Sequence, residues 1–343
     1  MEKIEIRGKL GKSTVLINER LKNLAHYVKT DRAVIITDET VSGYYQQDFP
    51  PWDVITIGRG ETIKNLDTAS LIYERLVELK ADRSTFIAGI GGGVVCDIAG
   101  FVASTFMRGV PFGFVSTTLL SQVDASVGGK NGVNFKGFKN MVGVFNQPEF
   151  VICDTSLLRT LPEKEFLCGM AEVVKHAAIA DKDLFSFLES GYQDALVLNE
   201  DVVTRLVHDS IIIKSDIVNR DETEKGERRK LNFGHSFGHA IEKAEGLPHG
   251  EAVGIGMILA ADFSVKEGLL SKTDANRLKQ LITHLKLPVR SRADSKTIKE
   301  ALQRDKKKDG AHMHFVFLDD IGSCVIREIS IDSIPVGELM DHA

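Results

Sequence analysis

The chain has 343 residues, of which 43% are hydrophobic and 27% charged, and 43 Lys+Arg against 48 Asp+Glu give a net charge of −5. At ~150 residues per domain, that length allows two domains with cores of their own. The ordinary composition excludes a disordered, fibrous or low-complexity chain, and the mildly acidic sum argues against general nucleic-acid binding while leaving a local basic pocket open.

The first residues, MEKIEIRGKLGKS, carry charge throughout and lack an apolar signal core. The longest run free of polar side chains, 252–261, is about half of the ~20 residues a membrane span needs. Cys96, Cys153, Cys168 and Cys324 form no CxxC and read as reduced thiols, so a cytoplasmic protein is expected.

Short β-branched runs at 14–17, 33–37, 54–57, 85–90, 112–117 and 150–153 alternate with helical stretches such as 63–80. This pattern predicts an α/β N-terminal domain with a doubly wound, mostly parallel, Rossmann-like sheet. After Asp154 the periodicity turns helical, with helices expected at 162–180, 182–190, 200–219, 235–245, 250–268, 272–285 and 295–304. A hairpin of 314–318 and 324–329 follows, so the second domain is mainly α-helical, and the division is placed at 1–154 and 155–343.

The strand at 85–90 runs into Gly89-Ile-Gly-Gly-Gly-Val-Val-Cys-Asp97. Glycines between a strand and a helix let backbone N–H groups approach a phosphate, or simply make a tight turn. The dinucleotide fingerprint GxGxxG is not met, since its third glycine would fall at Val94. Asp38 ends the 33–37 strand, where a carboxylate can bond ribose hydroxyls. Glu61 and Lys64 fall at i, i+3, one face of a starting helix, and plain surface charge is the alternative for this pair and for Asp38.

Further on, Leu231-Asn-Phe-Gly-His235-Ser-Phe-Gly-His239 sets two histidines four apart, His249 follows, and Gly169-Met-Ala-Glu172-Val-Val-Lys175-His176 adds a carboxylate beside a lysine. Three protein ligands drawn from His and Glu, with one position open, make a catalytic zinc site, and hydrogen-bonded core histidines are the alternative. Arg108, Lys130, Lys139, Lys175, Lys214, Arg228, Lys306 and Lys307 lie largely among glycines and small polar residues. Cations so placed in an acidic chain suggest capture of a small polyanion, or plain surface charge. Lys130 is no Walker lysine, because Asn131 follows it.

In order along the chain stand Thr37-Asp38, Gly60-Glu-x-x-Lys64, Gly91-Gly-Gly-Val-Val-Cys-Asp97, Met107-Arg-Gly, Thr117-Thr-Leu-Leu-Ser-Gln-Val-Asp-Ala-Ser-Val-Gly-Gly-Lys130, Lys139-Asn-Met-Val-Gly, the two histidine-bearing segments, His249-Gly-Glu-Ala-Val and Asp305-Lys-Lys. This ordered set resembles the sugar phosphate cyclase family, and within it the 3-dehydroquinate synthases. Cys96 stands where the family usually has glycine, and Asn146 replaces a usual aromatic.

The resemblance implies NAD, a Zn2+ or Co2+ ion, a sugar phosphate substrate, a homodimer, no nucleic-acid or membrane partner, and an active site between the domains. Residues 1–154 would bind NAD, and 155–343 the metal and substrate. It implies Glu172, His235 and His249 as metal ligands. NAD contacts would be Asp38, Glu61, Lys64, Gly92, Gly93, Val94, Asp97, Thr117, Thr118, Lys130 and Lys139. Substrate and catalytic groups would be Asp124, Lys130, Asn140, Lys175, Lys214, Arg228, Asn232 and His239, with Arg108 reaching a partner subunit's site. The implied reaction turns 3-deoxy-D-arabino-heptulosonate 7-phosphate into 3-dehydroquinate and phosphate, a step of the shikimate pathway. Competing readings are another sugar phosphate cyclase, a metal- and NAD-dependent polyol dehydrogenase, and a non-catalytic NAD-binding module.

Overall fold

The computed structural model describes residues 1–8, 11–306 and 312–342. The chain divides into two compact units. The first takes residues 1–162 together with Val203–Glu222, and the second takes Glu163–Val202 and 223–343.

The first unit is built on a seven-stranded sheet. Its strands are β1 (Glu2–Gly8), β2 (Gly11–Ile17), β3 (Ala33–Asp38), β4 (Asp53–Ile57), β5 (Phe86–Gly91), β6 (Phe112–Ser116) and, after the hairpin β7 (Lys130–Phe135) and β8 (Phe138–Phe145), β9 (Phe150–Cys153). The order is β1-β2-β9-β6-β5-β3-β4, parallel except for the β1–β2 hairpin. β5, β6 and β9 are buried along their whole length, as befits parallel strands covered on both faces. Leu16, Ile35, Phe86, Ile90, Val115, Phe150 and Ile152 form the core on one face, and the Phe86 and Phe150 rings stack at 5.6 Å.

Helices α1 (Glu39–Tyr45), α2 (Leu66–Glu78) and α3 (Gly93–Thr105) connect the strands. The chain leaves β3 to one side for β4 and returns on the other side to β5. The carboxyl ends of β3 and β5 therefore flank the topological switch point, where open α/β sheets take their ligands.

The second unit holds α4 (Glu163–Ala180), α5 (Lys182–Leu196), most of the chain after α6 (Glu200–Arg220), α7 (His235–Glu245), α8 (His249–Lys266), α9 (Lys272–His284), α10 (Ser295–Lys306), the hairpin β10 (His312–Asp320) and β11 (Ser323–Ser330), and α11 (Val336–His342). α8 contains the apolar run 252–261, buried throughout because α7, α4, α9 and β10 pack around it. Among the described residues no helix is long and apolar enough to cross a membrane, and all four cysteines are buried and free.

The expected strands and the closing hairpin are present, and the expected helices form with shifted ends. Asn65 caps α2 by accepting from the Thr68 N–H at 2.9 Å, so that helix starts at Leu66 rather than 63. α5 runs past Gly191 to Leu196, six residues beyond the predicted end. β1, the β7–β8 hairpin and α11 had no sequence prediction.

Candidate active site

In the first unit, β5 delivers the glycine loop. Gly92 caps α3 and Gly93 opens it. A Cβ on Gly91 would lie 2.5 Å from Val95 Cβ, and one on Gly92 would lie 3.0 Å from Thr118 Cγ2, so bare backbone lines this turn for want of room. The Thr117 N–H donates to the Gly91 carbonyl at 3.0 Å, and the Ser121 N–H to Thr118 Oγ1 at 3.1 Å. Thr117, Thr118, Gly92, Gly93 and Val94 are thus brought together at the end of β5.

Asp38 lies across the switch point at the end of β3. Its Oδ1 accepts from the Thr40 and Val41 N–H groups at 2.8 and 3.0 Å, which caps α1.

Glu61 and Lys64 do not share a helical face, which corrects the sequence reading. Glu61–Ile63 is a single 3-10 turn, and Lys64 leaves it in a non-helical conformation. Lys64 is 5% exposed and donates to Asp97 Oδ2 at 2.5 Å and Asn140 Oδ1 at 2.6 Å. Glu61 Oε1 accepts instead from Asn134 Nδ2 at 2.7 Å. Burial pushes the Asp97 carboxyl up to about 6, against the pull of Lys64. Asn140, whose Oδ1 accepts from Lys64, also donates its N–H to Asn134 Oδ1 at 2.8 Å.

Lys130 opens β7 and is exposed, as is Lys139 on β8. Asp124 lies in the turn Ser121–Ala125 and accepts from the buried Lys214 through both its carboxylate and its carbonyl. Arg108 is exposed in a turn where Met107, Arg108 and Gly109 all have positive φ, at 49°, 73° and 115°.

In the second unit, α4 presents Glu172 and Lys175, which are 0% and 1% exposed and ion-paired. Glu172 Oε1 lies 3.1 Å from His249 Nε2 and 3.5 Å from His235 Nε2. Ligand atoms of Glu172, His235 and His249 all fall within 4.8 Å of one another. His235 Nδ1 donates to the Phe233 carbonyl at 3.1 Å, which leaves the Nε2 lone pair facing Glu172. His249 Nδ1 lies 3.6 Å from Glu242 Oε2, a carboxylate set to orient that ring.

Burial raises the Glu172 carboxyl, but Lys175, His235 and His249 outweigh it and hold the group well below the ordinary value. Burial also lowers His235 to about 3 against the attraction of Glu172. At His249 burial works the same way, yet hydrogen bonds to Glu172 and Glu242 lift it to about 9.

The close approach of α7 and α8 sets this geometry. Gly234 precedes His235 at φ 77°, and a Cβ there would meet the Met257 N at 2.9 Å. A Cβ on Gly256 would come within 2.1 Å of the Gly234 carbonyl oxygen.

His239 is exposed on α7 with its ring 5.4 Å from that of His235. Arg228 is buried in the turn Glu227–Asn232, and Asn232 donates to Glu224 Oε1 at 2.7 Å. Lys306 ends α10, and Lys307 lies outside the described residues. The sequence reading did not assign Asn134 or Glu242. The signal for Glu242 was in plain view, seven residues after His235 on the same helix.

A doubly wound sheet with a glycine loop at its switch point, and a helical unit carrying a carboxylate and two imidazoles on one point, fit the sugar phosphate cyclase class. Family models described as 3-dehydroquinate synthase N-terminal and C-terminal match residues 54–168 and 169–308. The 3-dehydroquinate synthase of Dehalococcoides mccartyi (strain CBDB1) is 42% identical over 91% of this chain and 90% of its own length. A 2-deoxy-scyllo-inosose synthase complexed with carbaglucose-6-phosphate, NAD+ and Co2+ superimposes with a TM-score of 0.89, at 25% identity over 99% of this chain and all of the other. The 2-epi-5-epi-valiolone synthase from Streptomyces hygroscopicus subsp. jinggangensis 5008, with NAD+ and Zn2+ bound, gives 0.88 at 26% identity over 96% of this chain and 97% of the other. The chain belongs to the 3-dehydroquinate synthase family, as the ordered motifs implied.

Proposed function

We propose that this chain converts 3-deoxy-D-arabino-heptulosonate 7-phosphate to 3-dehydroquinate and phosphate in the shikimate pathway, using catalytic NAD and a divalent ion, Zn2+ or Co2+. The observation that carries the reading is the convergence of Glu172, His235 and His249, a donor set suited to a catalytic zinc or cobalt with one position open. The tight backbone at Gly91 and Gly92, where a side chain would clash, fits a pyrophosphate at the start of α3.

The conversion oxidises an alcohol, eliminates phosphate, restores the alcohol, opens the ring and closes a carbocycle by aldol addition. When bound, NAD takes and returns the hydride, and the divalent ion polarises substrate hydroxyls. Around NAD stand Asp38, Glu61, Lys64, Gly92, Gly93, Val94, Asp97, Thr117, Thr118, Lys130 and Lys139. Lys130, Asn140 and His239 bind the phosphate and offset its charge as it departs. Arg228 and Lys214 hold the carboxylate and so fix which ring face reacts. Asn232 contacts the substrate. Lys175, buried beside Glu172, and Asp124 hold and pass protons. The ketone formed first acidifies the neighbouring C–H, and the departing phosphate is itself a base within reach of that proton. The reading carries with it a cytoplasmic homodimer in which Arg108 reaches the neighbouring copy's site.

The test is incubation with the heptulosonate phosphate, a trace of NAD and Zn2+, following phosphate and 3-dehydroquinate. Both products should form in equal amounts, far exceeding the NAD supplied. NADH accumulating in step with substrate consumed would favour a polyol dehydrogenase. Phosphate release from glucose 6-phosphate or sedoheptulose 7-phosphate instead would favour another cyclase.

A further inference from the structure

A second group of ligand-type side chains converges beside the cluster of Glu172, His235 and His249. One ligand atom each from His239, Glu242 and His249 lies within 4.8 Å of the others. His239 and Glu242 stand three apart on α7 and so share a helical face, while His249 opens α8. The two nitrogens of His249 face the two groups: Nε2 is 3.1 Å from Glu172 and Nδ1 is 3.6 Å from Glu242. Exposure rises outward. The Glu172 side chain is 0% exposed, Glu242 16% and His249 30%, and His239 is an exposed residue.

We propose that His239, Glu242 and His249 form an outer site for a divalent transition-metal ion, linked to the inner cluster through His249. Two imidazoles and a carboxylate repeat the inner donor set and favour Zn2+ or Co2+ over Mg2+ or Ca2+, which prefer oxygen ligands. An ion arriving from solvent meets His239 first. Passage inward exchanges His239 and Glu242 for His235 and Glu172, and moves the ion from Nδ1 to Nε2 of His249. An ion held inside commits His249, so the outer position then rests on two side chains and binds more weakly. Because His239 is also assigned to the phosphate, an ion there obstructs substrate, and excess metal slows turnover.

The proposal rests on the inner cluster being a metal site, and its test separates the two. Co2+ is titrated into the full chain, with stoichiometry read by equilibrium dialysis and coordination by the visible absorption of the ion. The wild type should bind a tight and a weaker equivalent, and His239→Ala only the tight one. His239→Gln, which keeps the bulk and loses the imidazole, should match His239→Ala. In His235→Ala the residual ion should bind about a hundredfold or more tightly than in His235→Ala/His239→Ala, since loss of a ligand exceeds the 10–100-fold effect of losing a supporting partner. Equal stoichiometry in wild type and His239→Ala, or equal affinity in the His235 variant with and without His239, overturns the outer site and leaves the inner one standing. A wild-type chain that takes up no ion overturns both.

Discussion

His249 carries opposite demands. Without metal its hydrogen bonds to Glu172 and Glu242 hold a proton on it up to about pH 9, yet an imidazole must be neutral to ligate. His235, lowered to about 3, has no proton to lose at neutral pH. Metal uptake at pH 7 should therefore release about one proton, and affinity should rise about tenfold per pH unit until His249 is deprotonated. Calorimetry of Zn2+ binding in buffers of different ionisation enthalpy reads this number directly, and a pH-independent affinity would contradict it. Lys130 makes a different case. Its exposure at the start of β7 permits replacement without loss of fold, so Lys130→Ala should lower kcat/KM for the phosphate substrate by about ten- to a hundredfold, the worth of one charge-assisted hydrogen bond. An unchanged value would remove Lys130 from the site. At this scale the titratable residues were legible because Glu, His and Lys types announce their chemistry. Their partners were not: Lys64 pairs with Asp97 and Asn140, which lie 33 and 76 positions further along the sequence.

Among the elements, α7 and α8 carry most of the consequence. Gly234 and Gly256 let their backbones approach so closely that His235 and His249, each the first residue of its helix, reach one carboxylate. Gly256→Ala should force the helices apart, cost about 1–3 kcal/mol by overpacking, and weaken Zn2+ binding although no ligand is touched. Chemical denaturation with parallel metal titration checks both, and retained affinity would show that the helix spacing has slack. Long periodic helices and apolar parallel strands were readable, since each repeats its pattern over many residues. β1 was not, because in Glu2–Gly8 only Ile6 is fully buried and the rest alternates charge with small or half-covered groups. The β7–β8 hairpin escaped for a similar reason. Its Lys, Asn and Gly residues read as a cation-bearing loop, yet Asn131 and Val133 turn inward against α3.

For the molecule as a whole, periodicity gave the change from sheet to helices near residue 155, but not the return of one helix to the sheet. Nothing in the composition of 203–222 marks it as belonging with residues two hundred positions earlier. Asn219 Oδ1 accepts from the Arg7 N–H at 3.0 Å, Glu222 Oε1 from Gln147 Nε2 at 3.1 Å, His208 lies 3.1 Å from Glu2, and Lys214 holds Asp124. No single cut therefore separates the two units. A fragment of residues 1–162 should lack cooperative unfolding and expose apolar surface to a dye, whereas adding a linked copy of 203–222 should restore the cooperative transition and cover that surface. A sharp, native-like melt of the short fragment would refute this. On the ribosome the same interleaving imposes a delay: the sheet can begin to form early, but its last helix emerges only after forty residues of the other unit have been made, so those forty must wait as a loop while the first unit is completed.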